Sequence, residues 1–228
     1  NAITGISILA NSGDIDLYYN SVCLSGSVSG ASTGDKSAAF YSSVSVPEGV
    51  NLKNNIFQNS IDNITGTAIA YAIYTLTEAV CLGSIDYNVY YAEGPEAKLG
   101  HIYFYDISNL NQLRSYTYDD AHSVETDPLF AGPTDLRIDL GSPARSSGVP
   151  ISGITVDFEG VARSLTAPNM GAYESAEDNQ GPVFTYTPLQ KTAALSSRTL
   201  TASLVDSTGI PVAGTGLPVL YWKINAGS

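Results

Sequence analysis

Short apolar segments, separated by polar turn residues, recur along the first part of the chain at a nearly constant spacing. One set of landmarks lies 34 and then 33 residues apart, at Val22, Ile56 and Val89. A second set lies 33 residues apart at each step, at Ile8, Tyr41 and Tyr74. Within the segments the apolar positions recur about every second residue, which is the period of a β-strand, and further short strands are expected at 43–46, 67–70 and 79–82. Two landmarks with one spacing indicate a repeat architecture of short strands.

These repeats predict an all-β fold in which coils of the chain stack on one another. Each strand would pair in parallel with its equivalent on the next coil, about 4.8 Å away. A helical solenoid of similar period would need long amphipathic runs rich in Ala, Leu, Glu and Lys. Only 14% of the residues are charged, and Ser, Asn and Gly are abundant, so a helical solenoid is disfavoured.

Asparagines mark the point of each repeat where one strand would bend into the next. They are Asn20, Asn54, Asn55 and Asn88. Asparagine tolerates the left-handed backbone that such a bend needs, and stacked side-chain amides can hydrogen-bond along the coil axis. The register stays open, because Asn88 aligns with Asn55 whereas Asn20 aligns with Asn54. The simpler alternative is that asparagine is common in turns.

Residues 93–126 break the repeat and form an excursion from the coil. The stack continues through 102–105, and the segment 107–114 then predicts a short helix. Its N-cap would be Ser108 or Asn109. Its inward-facing residues would be Leu110 and Leu113.

Composition narrows the partners of the chain. Lys and Arg number 10 against 22 Asp and Glu, a net charge of −12. Such a surface repels phosphate backbones and anionic membranes, so nucleic-acid binding is not expected. No apolar run is long enough to span a membrane, so no membrane insertion is expected. The chain starts without Met or a signal peptide, and we interpret it as part of a longer secreted protein.

Two cysteines are present, Cys23 and Cys81, which lie 58 residues apart. That separation is not a multiple of the repeat, so they are not expected to stack on adjacent coils. Free, partly buried thiols are the favoured interpretation, and a disulfide is the alternative.

Four ordered blocks distinguish the segment that follows the repeats. They are 127–130 (DPLF), 135–144 (DLRIDLGSPA), 157–163 (DFEGVAR) and 169–174 (NMGAYE). This set resembles the closing segment of secreted bacterial parallel β-helix proteins of the pectate-lyase-like superfamily, including the choice-of-anchor type. The resemblance covers residues 1–176. It implies a right-handed parallel β-helix with a C-terminal cap, and a secreted or cell-surface location in bacteria.

The chain departs from the pattern of that family at three places. They are residues 145–148, Glu159 and Asn169. Because these positions usually close and cap the last coil, we expect altered local hydrogen bonding there and an intact fold.

Residues 177–228 are predicted to form a second module after a polar linker. Strands are expected at 183–188, 197–206 and 217–224, separated by Gly and Pro turns. This tail resembles the opening of an immunoglobulin-like or fibronectin-like domain. Such a sandwich needs about 100 residues, so a partial, truncated β-sandwich is expected.

Enzymes with the parallel β-helix fold use clustered carboxylates, often with calcium, or a basic residue. The candidate carboxylates are Asp14, Asp16, Asp62, Asp86, Asp119 and Asp120. No complete lyase or hydrolase motif accompanies them, so solvated turn carboxylates are favoured. No catalytic residue or metal site is assigned, and no cofactor is expected. Calcium at Asp157 and Glu159 is the alternative to a capping turn.

One candidate polar site lies in the excursion, where β-helix proteins tend to place function. It comprises Arg114, Asp119, Asp120 and His122. Neither His122 nor His101 has the spacing of a metal-binding motif. A satisfied surface histidine is the favoured interpretation of each.

Tyrosine is the most conspicuous side chain, with 15 copies. The candidate glycan-binding residues are Tyr18, Tyr19, Tyr90, Tyr91, Tyr103 and Tyr105. Tyrosines stacked on successive coils could form a platform for sugar rings. The alternative is that half of each pair belongs to the core and the other half to cross-strand packing.

These observations favour a non-catalytic fragment of a large secreted or cell-surface bacterial protein. It would act as a structural or adhesive stalk whose partners are glycans or other surface proteins. One alternative is a polysaccharide lyase or hydrolase whose active groove lies partly outside this chain, although fold alone does not fix function. Another is a component or passenger of a surface secretion or assembly complex.

Overall fold

The computed structural model describes most of the first two hundred residues. The described residues are 2–9, 15–30, 32, 34–63, 68–174, 176–177, 182–190 and 196–205. The chain divides into two compact units, residues 1–177 and 178–228. Each is described by itself.

The first unit is a parallel β-solenoid of about three coils, which confirms the predicted fold class. The first coil contains β1 (Ala2–Ile8), β2 (Ile15–Tyr18) and β3 (Ser21–Val28). The second contains β4 (Lys36–Ser42), β5 (Val50–Lys53) and β6 (Ile56–Asn63). The third contains β7 (Ile69–Thr75), a 3-10 turn (Ala79–Cys81), β8 (Leu82–Asp86) and β9 (Val89–Ala92).

Equivalent strands of the coils form three parallel sheets. The first sheet has the order β1-β4-β7, the second β2-β5-β8 and the third β3-β6-β9. The solenoid is followed by β10 (Lys98–Ile102), β11 (Tyr105–Ile107), helix α1 (Leu110–Thr117) and β12 (Val124–Glu125). The first sheet continues with β10 and β11, and the third ends at β12, which pairs with β9.

The register between the first two coils differs by one residue from the predicted alignment. Val22 pairs with Phe57, whereas Ile56 pairs with Ser21. In the same way Ser7, and not Ile8, pairs with Tyr41. The second step agrees with the sequence alignment, because Ile56 pairs with Val89 and Tyr41 with Tyr74.

The physical reason for the slip is that Ile56 and Phe57 are both buried, on opposite faces of one sheet. Val22, Phe57 and Tyr90 belong to the solenoid core. Ile56 and Val89 belong to a second cluster on the other face. Since side chains alternate along a strand, apolar character alone could not tell which residue of the pair faces inward.

Three aromatic rings pack in series within the solenoid core. The centroids of Phe40 and Phe57 are 5.5 Å apart, and those of Phe57 and Tyr90 are 6.1 Å apart. All three side chains are fully buried. Aromatic pairs at such separations stabilise a core beyond the area that they bury.

An asparagine ladder connects the three coils, as the sequence predicted. The backbone N–H and Nδ2 of Asn20 donate to Oδ1 of Asn55, at 3.0 and 2.9 Å. The same two groups of Asn55 donate to Oδ1 of Asn88, both at 3.0 Å. The backbone N–H of Asn88 then donates to Oγ of Ser123 at 2.9 Å. The ladder therefore runs Asn20, Asn55, Asn88, Ser123.

The left-handed bend lies one residue before each ladder asparagine. The expectation that asparagine adopts it is therefore confirmed for Asn54 and wrong for Asn20, Asn55 and Asn88. The bend residues are Tyr19, Asn54 and Tyr87, with φ of 57°, 58° and 56°. Asn54 is thus a bend residue and not a member of the ladder.

The excursion after the third coil covers the end of the core. Helix α1 begins after Asn109, whose side chain accepts from the backbone N–H of Gln112 at 3.0 Å. Leu110 and Leu113 are buried in the solenoid core. The predicted helix is confirmed, with Asn109 as its N-cap, and it extends to Thr117.

Three strands expected from the sequence take other forms. The stack continues through β10, while Tyr103 and Phe104 form a turn into the antiparallel strand β11. Residues 43–46 form a loop without strand pairing, and 79–82 is mostly the 3-10 turn. In each case the residues lie at or within a few residues of the end of a sheet strand, where the chain changes direction.

Residues 127–174 form a lateral brace along the side of the coils. It includes β13 (Phe130–Gly132) and β14 (Asp135–Asp139), and β14 also pairs with β15 (Ala176–Glu177). Ile138, Ala144 and Met170 of the brace are buried against Ile56 and Val89. The brace reaches back to the first coil, because the backbone N–H of Ala172 donates to Oγ of Ser21 at 2.9 Å.

Both cysteines, Cys23 and Cys81, are free thiols, so the favoured interpretation is confirmed. Burial raises the pKa of the Cys23 thiol above its ordinary value. Cys23 is therefore a poor nucleophile.

The second unit contains an antiparallel strand pair, β16 (Val183–Tyr186) and β17 (Ala202–Val205). Both strands fall within segments that the sequence predicted. The third expected strand, 217–224, lies outside the described residues. A β-sandwich is therefore not established.

Replacing Asn55 by Ala should lower the free energy of unfolding by about 2–4 kcal/mol, because it removes the acceptor of two donors and two side-chain donations. Asn55→Ser should lose less, since Ser123 fills the equivalent position with a hydroxyl. Chemical denaturation checks both variants. Equal stability of Asn55→Ala and the wild type would contradict a structural ladder.

Met170→Ala should destabilise the first unit by about 2–4 kcal/mol, because the buried side chain fills the contact between brace and coils. Leu165→Ala, in the same brace but 82% exposed, is the control and should change stability little. Thermal unfolding compares the two. A Met170→Ala protein as stable as the control would show that the brace does not need this contact.

Candidate functional site

Two of the six candidate glycan-binding tyrosines are buried, which excludes them from any platform. Tyr90 is fully buried in the core, and Tyr19 is only 5% exposed. The Arg163 guanidinium of the brace lies 3.8 Å from the centre of the Tyr19 ring. Tyr18 and Tyr91 are half-buried, and the Tyr18 hydroxyl donates to Asp16 at 2.9 Å.

The other two candidate tyrosines lie together in an aromatic tip, formed by Tyr103, Phe104, Tyr105 and Tyr116. Tyr103, Phe104 and Tyr105 are 38%, 73% and 54% exposed. The ring centroids of Tyr103 and Phe104 are 3.7 Å apart, and those of Tyr105 and Tyr116 are 5.5 Å apart. The tip combines the β10–β11 turn with a residue of α1.

His101 fixes the backbone of the tip. Its Nε2 lies 2.8 Å from the carbonyl oxygen of Tyr103, and its Nδ1 lies 2.8 Å from Oδ1 of Asp106. The Tyr71 hydroxyl donates to the same Asp106 oxygen at 2.9 Å. Burial, and then the hydrogen bond to Asp106, raise the pKa of Tyr71. Tyr71 therefore stays a donor at neutral pH.

A row of stacked rings in the first sheet supports His101, which holds the tip through its hydrogen bonds to Tyr103 and Asp106. Tyr74 stacks on His101 with centroids 4.4 Å apart, and on Tyr41 with centroids 5.6 Å apart. Nζ of Lys36 donates to the Tyr74 hydroxyl at 2.8 Å. The turn that carries the tip thus rests on stacked rings of β10 and of the third and second coils.

The predicted polar site does gather in one place, but its side chains hold the backbone. Nε of Arg114 donates to the carbonyl of Asp120 at 2.8 Å, and Nη2 donates to that of Ser123 at 2.9 Å. Oδ2 of Asp119 accepts from the backbone N–H of Ile85 at 2.9 Å. These contacts fold the loop after α1 against the third coil.

Asp120 is fully buried at the end of the asparagine ladder. Its Oδ1 accepts from Oγ of Ser123 at 2.6 Å and from the Tyr90 hydroxyl at 3.0 Å. Its Oδ2 has no hydrogen-bond partner among the described residues. Burial raises the pKa of the Asp120 carboxyl to about 7, although the hydrogen bonds from Ser123 and Tyr90 act to lower it.

His122 is the exposed member of the polar site and pairs with Asp86. Oδ2 of Asp86 lies 2.7 Å from Nδ1 of His122, while Oδ1 accepts from the His122 backbone N–H at 2.7 Å. The imidazole stacks on Tyr87 with centroids 4.5 Å apart. Burial opposes ionisation of Asp86, but the hydrogen bonds from His122 and Tyr87 outweigh it and lower its pKa.

The Asp86–His122 pair is the arrangement in this region with catalytic potential. A carboxylate that fixes one ring nitrogen leaves the other free to move a proton. Nε2 of His122 has no hydrogen-bond partner among the described residues. Their separation of 36 positions, close to the length of one coil, is a signal for the pair that can be seen in the sequence.

The remaining candidate carboxylates have structural roles or stand apart. Asp157 accepts backbone N–H groups of Glu159, Val161 and Glu174, at 2.7 to 2.9 Å, so it forms a capping turn. Asp16 accepts from Nδ2 of Asn51 at 2.8 Å, and Asp62 is exposed. Asp14 lies outside the described residues.

Two absences apply to the described part of the chain. No group of three or more His, Cys, Asp and Glu side chains there is arranged to hold a metal ion. Nor does any described helix have the length and apolar character needed to cross a bilayer.

Comparison with family models, curated proteins and solved structures finds no match to this chain.

Asp120→Asn should remove a pH dependence of stability. The folded-state pKa lies above the unfolded value of about 3.9, so the protonated Asp120 carboxyl makes its full contribution to the free energy of unfolding below about pH 4. That contribution falls as the pH rises and is lost once the pH passes about 7. Between pH 5 and 8 the wild type should lose about 2–3 kcal/mol of unfolding free energy that Asp120→Asn keeps.

Chemical denaturation at several pH values measures this difference. Glu159→Gln, which neutralises an exposed carboxylate, is the control for net charge and should follow the wild type. If the free energy of unfolding changed with pH in the same way for Asp120→Asn and the wild type, ionisation of Asp120 would not destabilise the fold, which would contradict the prediction.

Proposed function

We propose that the chain is a non-catalytic part of a large secreted or cell-surface bacterial protein, acting as a rigid stalk whose aromatic tip binds glycans. The observation that carries the proposal is the use of the polar side chains. Arg114, Asp119 and Asp120 all hold backbone or buried groups, so none is free to act on a substrate.

The aromatic tip is the surface that best fits a sugar ring. Tyr103, Phe104 and Tyr105 are exposed, whereas Tyr116 is half-buried. The backbone of the tip is held by His101 and Asp106, so binding would order few additional groups. Aromatic faces pack on the apolar C–H surface of sugars while the tyrosine hydroxyls stay in water. A net charge of −12 favours neutral over acidic glycans.

The solenoid suits the role of a stalk. Each coil contacts its neighbours through three parallel sheets, and the lateral brace contacts more than one coil. Repeat proteins of this kind gain length by adding coils without a change in the contacts between them. Other surface proteins are further candidate partners under this proposal.

A polysaccharide lyase or hydrolase is the second candidate function, favoured by the Asp86–His122 pair alone, in which the imidazole is exposed. Under this alternative His122 would transfer a proton, and the rest of the active groove would lie outside the described residues. The acidic partners that such enzymes need, in a groove with His122, are the feature that would distinguish it.

A glycan-array screen with and without calcium, combined with product analysis, tests the two functions. We expect binding without cleavage. The double variant Tyr103→Ala/Tyr105→Ala should bind at least about tenfold more weakly, because stacked rings contribute about 1 kcal/mol or more each. Tyr118→Ala removes a tyrosine that is 92% exposed and outside the tip, and should bind as the wild type does.

Unchanged binding by the double variant would contradict the tip as the glycan site. Cleavage that is lost in His122→Ala would overturn the non-catalytic assignment. No binding to any glycan would leave the stalk without the adhesive role.

A further inference from the structure

Both ring nitrogens of His101 face oxygen atoms that accept hydrogen bonds. Nε2 lies 2.8 Å from the carbonyl oxygen of Tyr103, and Nδ1 lies 2.8 Å from Oδ1 of Asp106. A carbonyl oxygen has no proton to give, so Nε2 must be the donor to Tyr103. A carboxylate oxygen has none either, so Nδ1 must be the donor to Asp106.

The Tyr71 hydroxyl confirms that Oδ1 of Asp106 is an acceptor. It lies 2.9 Å from the same oxygen. Burial, and then the hydrogen bond to Asp106, raise the pKa of Tyr71, so the hydroxyl keeps its proton and donates. Neutral imidazole has a donor on one ring nitrogen and a lone pair on the other. The contacts of His101 are therefore all satisfied only when its ring is an imidazolium.

Loss of one proton from His101 breaks its contact with the aromatic tip. The nitrogen that faces Asp106 keeps its proton, because a hydrogen bond to a carboxylate is stronger than one to a neutral carbonyl. Nε2 is then left with a lone pair 2.8 Å from the Tyr103 carbonyl oxygen. Two acceptors at that distance repel each other, so the imidazole and the carbonyl must move apart.

The backbone of Tyr103 is strained in a way that makes the turn respond. Its φ of 58° lies in the left-handed region, which is unfavourable for a residue with a Cβ atom. The backbone N–H of Tyr103 donates to the Thr75 carbonyl at 3.0 Å, so the start of the turn is fixed. The Tyr103 carbonyl belongs to the peptide plane that leads to Phe104. When His101 no longer holds it, that plane can rotate and move the exposed rings of Phe104 and Tyr105.

The charged and titratable groups around His101 come from three neighbouring strands. Asp106 comes from β11, and β7 provides Tyr71 and Tyr74, whose ring stacks on the imidazole with centroids 4.4 Å apart. From β4, Nζ of Lys36 lies 4.3 Å from the centre of the Tyr74 ring. The positive charge of Lys36 opposes protonation of His101, but its contact is with Tyr74. The carboxylate of Asp106 contacts the imidazole directly and favours the protonated ring.

We propose that His101 is a pH-sensitive switch that orders the aromatic tip in acid and releases it in base. In acid the imidazolium donates to Asp106 and to the Tyr103 carbonyl and holds the turn. As the pH rises through the range of about 5 to 8 in which histidine titrates, Nε2 gives up its proton and the turn is released. His101 is a positioning residue, because it acts on the tip through the backbone of Tyr103.

The direction of the switch follows from the number of bound protons. The ordered tip binds one proton more than the released tip, so a rise in pH favours release. The consequence for binding rests on the proposed glycan-binding function, in which the ordered tip stacks on a sugar ring. Binding should be at least about threefold tighter at pH 5 than at pH 8. The change cannot exceed about tenfold per pH unit, because a single proton is involved.

NMR spectroscopy of the full chain without a ligand tests the switch independently of glycan binding. At pH 5 both ring nitrogens of His101 should carry protons, and the Phe104 amide should have the order parameter of rigid backbone, about 0.85. At pH 8 Nε2 should be unprotonated, the carbonyl carbon of Tyr103 should shift, and the Phe104 order parameter should fall towards about 0.6. His101→Phe keeps a ring against Tyr74 but has no proton to donate, so its tip should be released at both pH values.

His122 provides the matched control. It also stacks on a tyrosine and pairs with a carboxylate, but its Nε2 has no hydrogen-bond partner among the described residues. In His122→Phe the signals of Tyr103 and Phe104 should therefore respond to pH as they do in the wild type. A His101 ring whose protonation does not change between pH 5 and 8 would overturn the switch. So would a tip that stays rigid while the ring loses its proton.

The glycan array, run at pH 5 and at pH 8, tests the effect on binding. We expect the signals of the wild type to fall at pH 8 and those of His101→Phe to be low at both pH values. Equal binding of the wild type at both would overturn the regulation of binding by His101. No binding at either pH would contradict the proposed glycan function instead, and the NMR result would decide the switch by itself.

Discussion

The structure depends on the contact between one coil and the next at the asparagine ladder. Apolar packing drives the coils together but does not fix their register, since Ile56 and Phe57 are both apolar and point to opposite faces. The amides of Asn55 and Asn88 fix it, because each must satisfy donors from the coil before it. The ladder then ends at Ser123, whose hydroxyl is held by the buried carboxyl of Asp120.

This constraint explains why the most suggestive side chains serve the fold. The outward row that includes Ile56 and Val89 would expose apolar surface to water, and the lateral brace covers it with Ile138 and Met170. The loop that carries Asp120 must close the last coil, so Arg114 holds its carbonyls. Among the described residues, the aromatic tip and the Asp86–His122 pair remain as candidate sites for binding or proton transfer.

The coils, the ladder and helix α1 could be predicted because each leaves a periodic or capping signal, such as Asn109 before Leu110 and Leu113. The slip at Ile56 could not, since the sequence does not show whether Asn54 or Asn55 forms the hydrogen bonds with Asn20. Tyr90 is buried because its side chain points to the inner face of β9, and Tyr103 is exposed because it lies in the β10–β11 turn. Residue type alone does not distinguish the two positions. Pairing of Asp86 with His122 requires knowing that the coils stack.

Native-state hydrogen exchange, followed by NMR, tests the ladder most directly. If the ladder sets the register, the backbone amides of Asn55 and Asn88, which donate to Oδ1 of Asn88 and Oγ of Ser123, should exchange only through global unfolding. The Asn20 amide, whose side-chain oxygen accepts no hydrogen bond from the described residues, should exchange sooner. Exchange of the Asn55 and Asn88 amides as fast as that of the loop residue Gly153 would contradict the claim that the ladder sets the register of the coils.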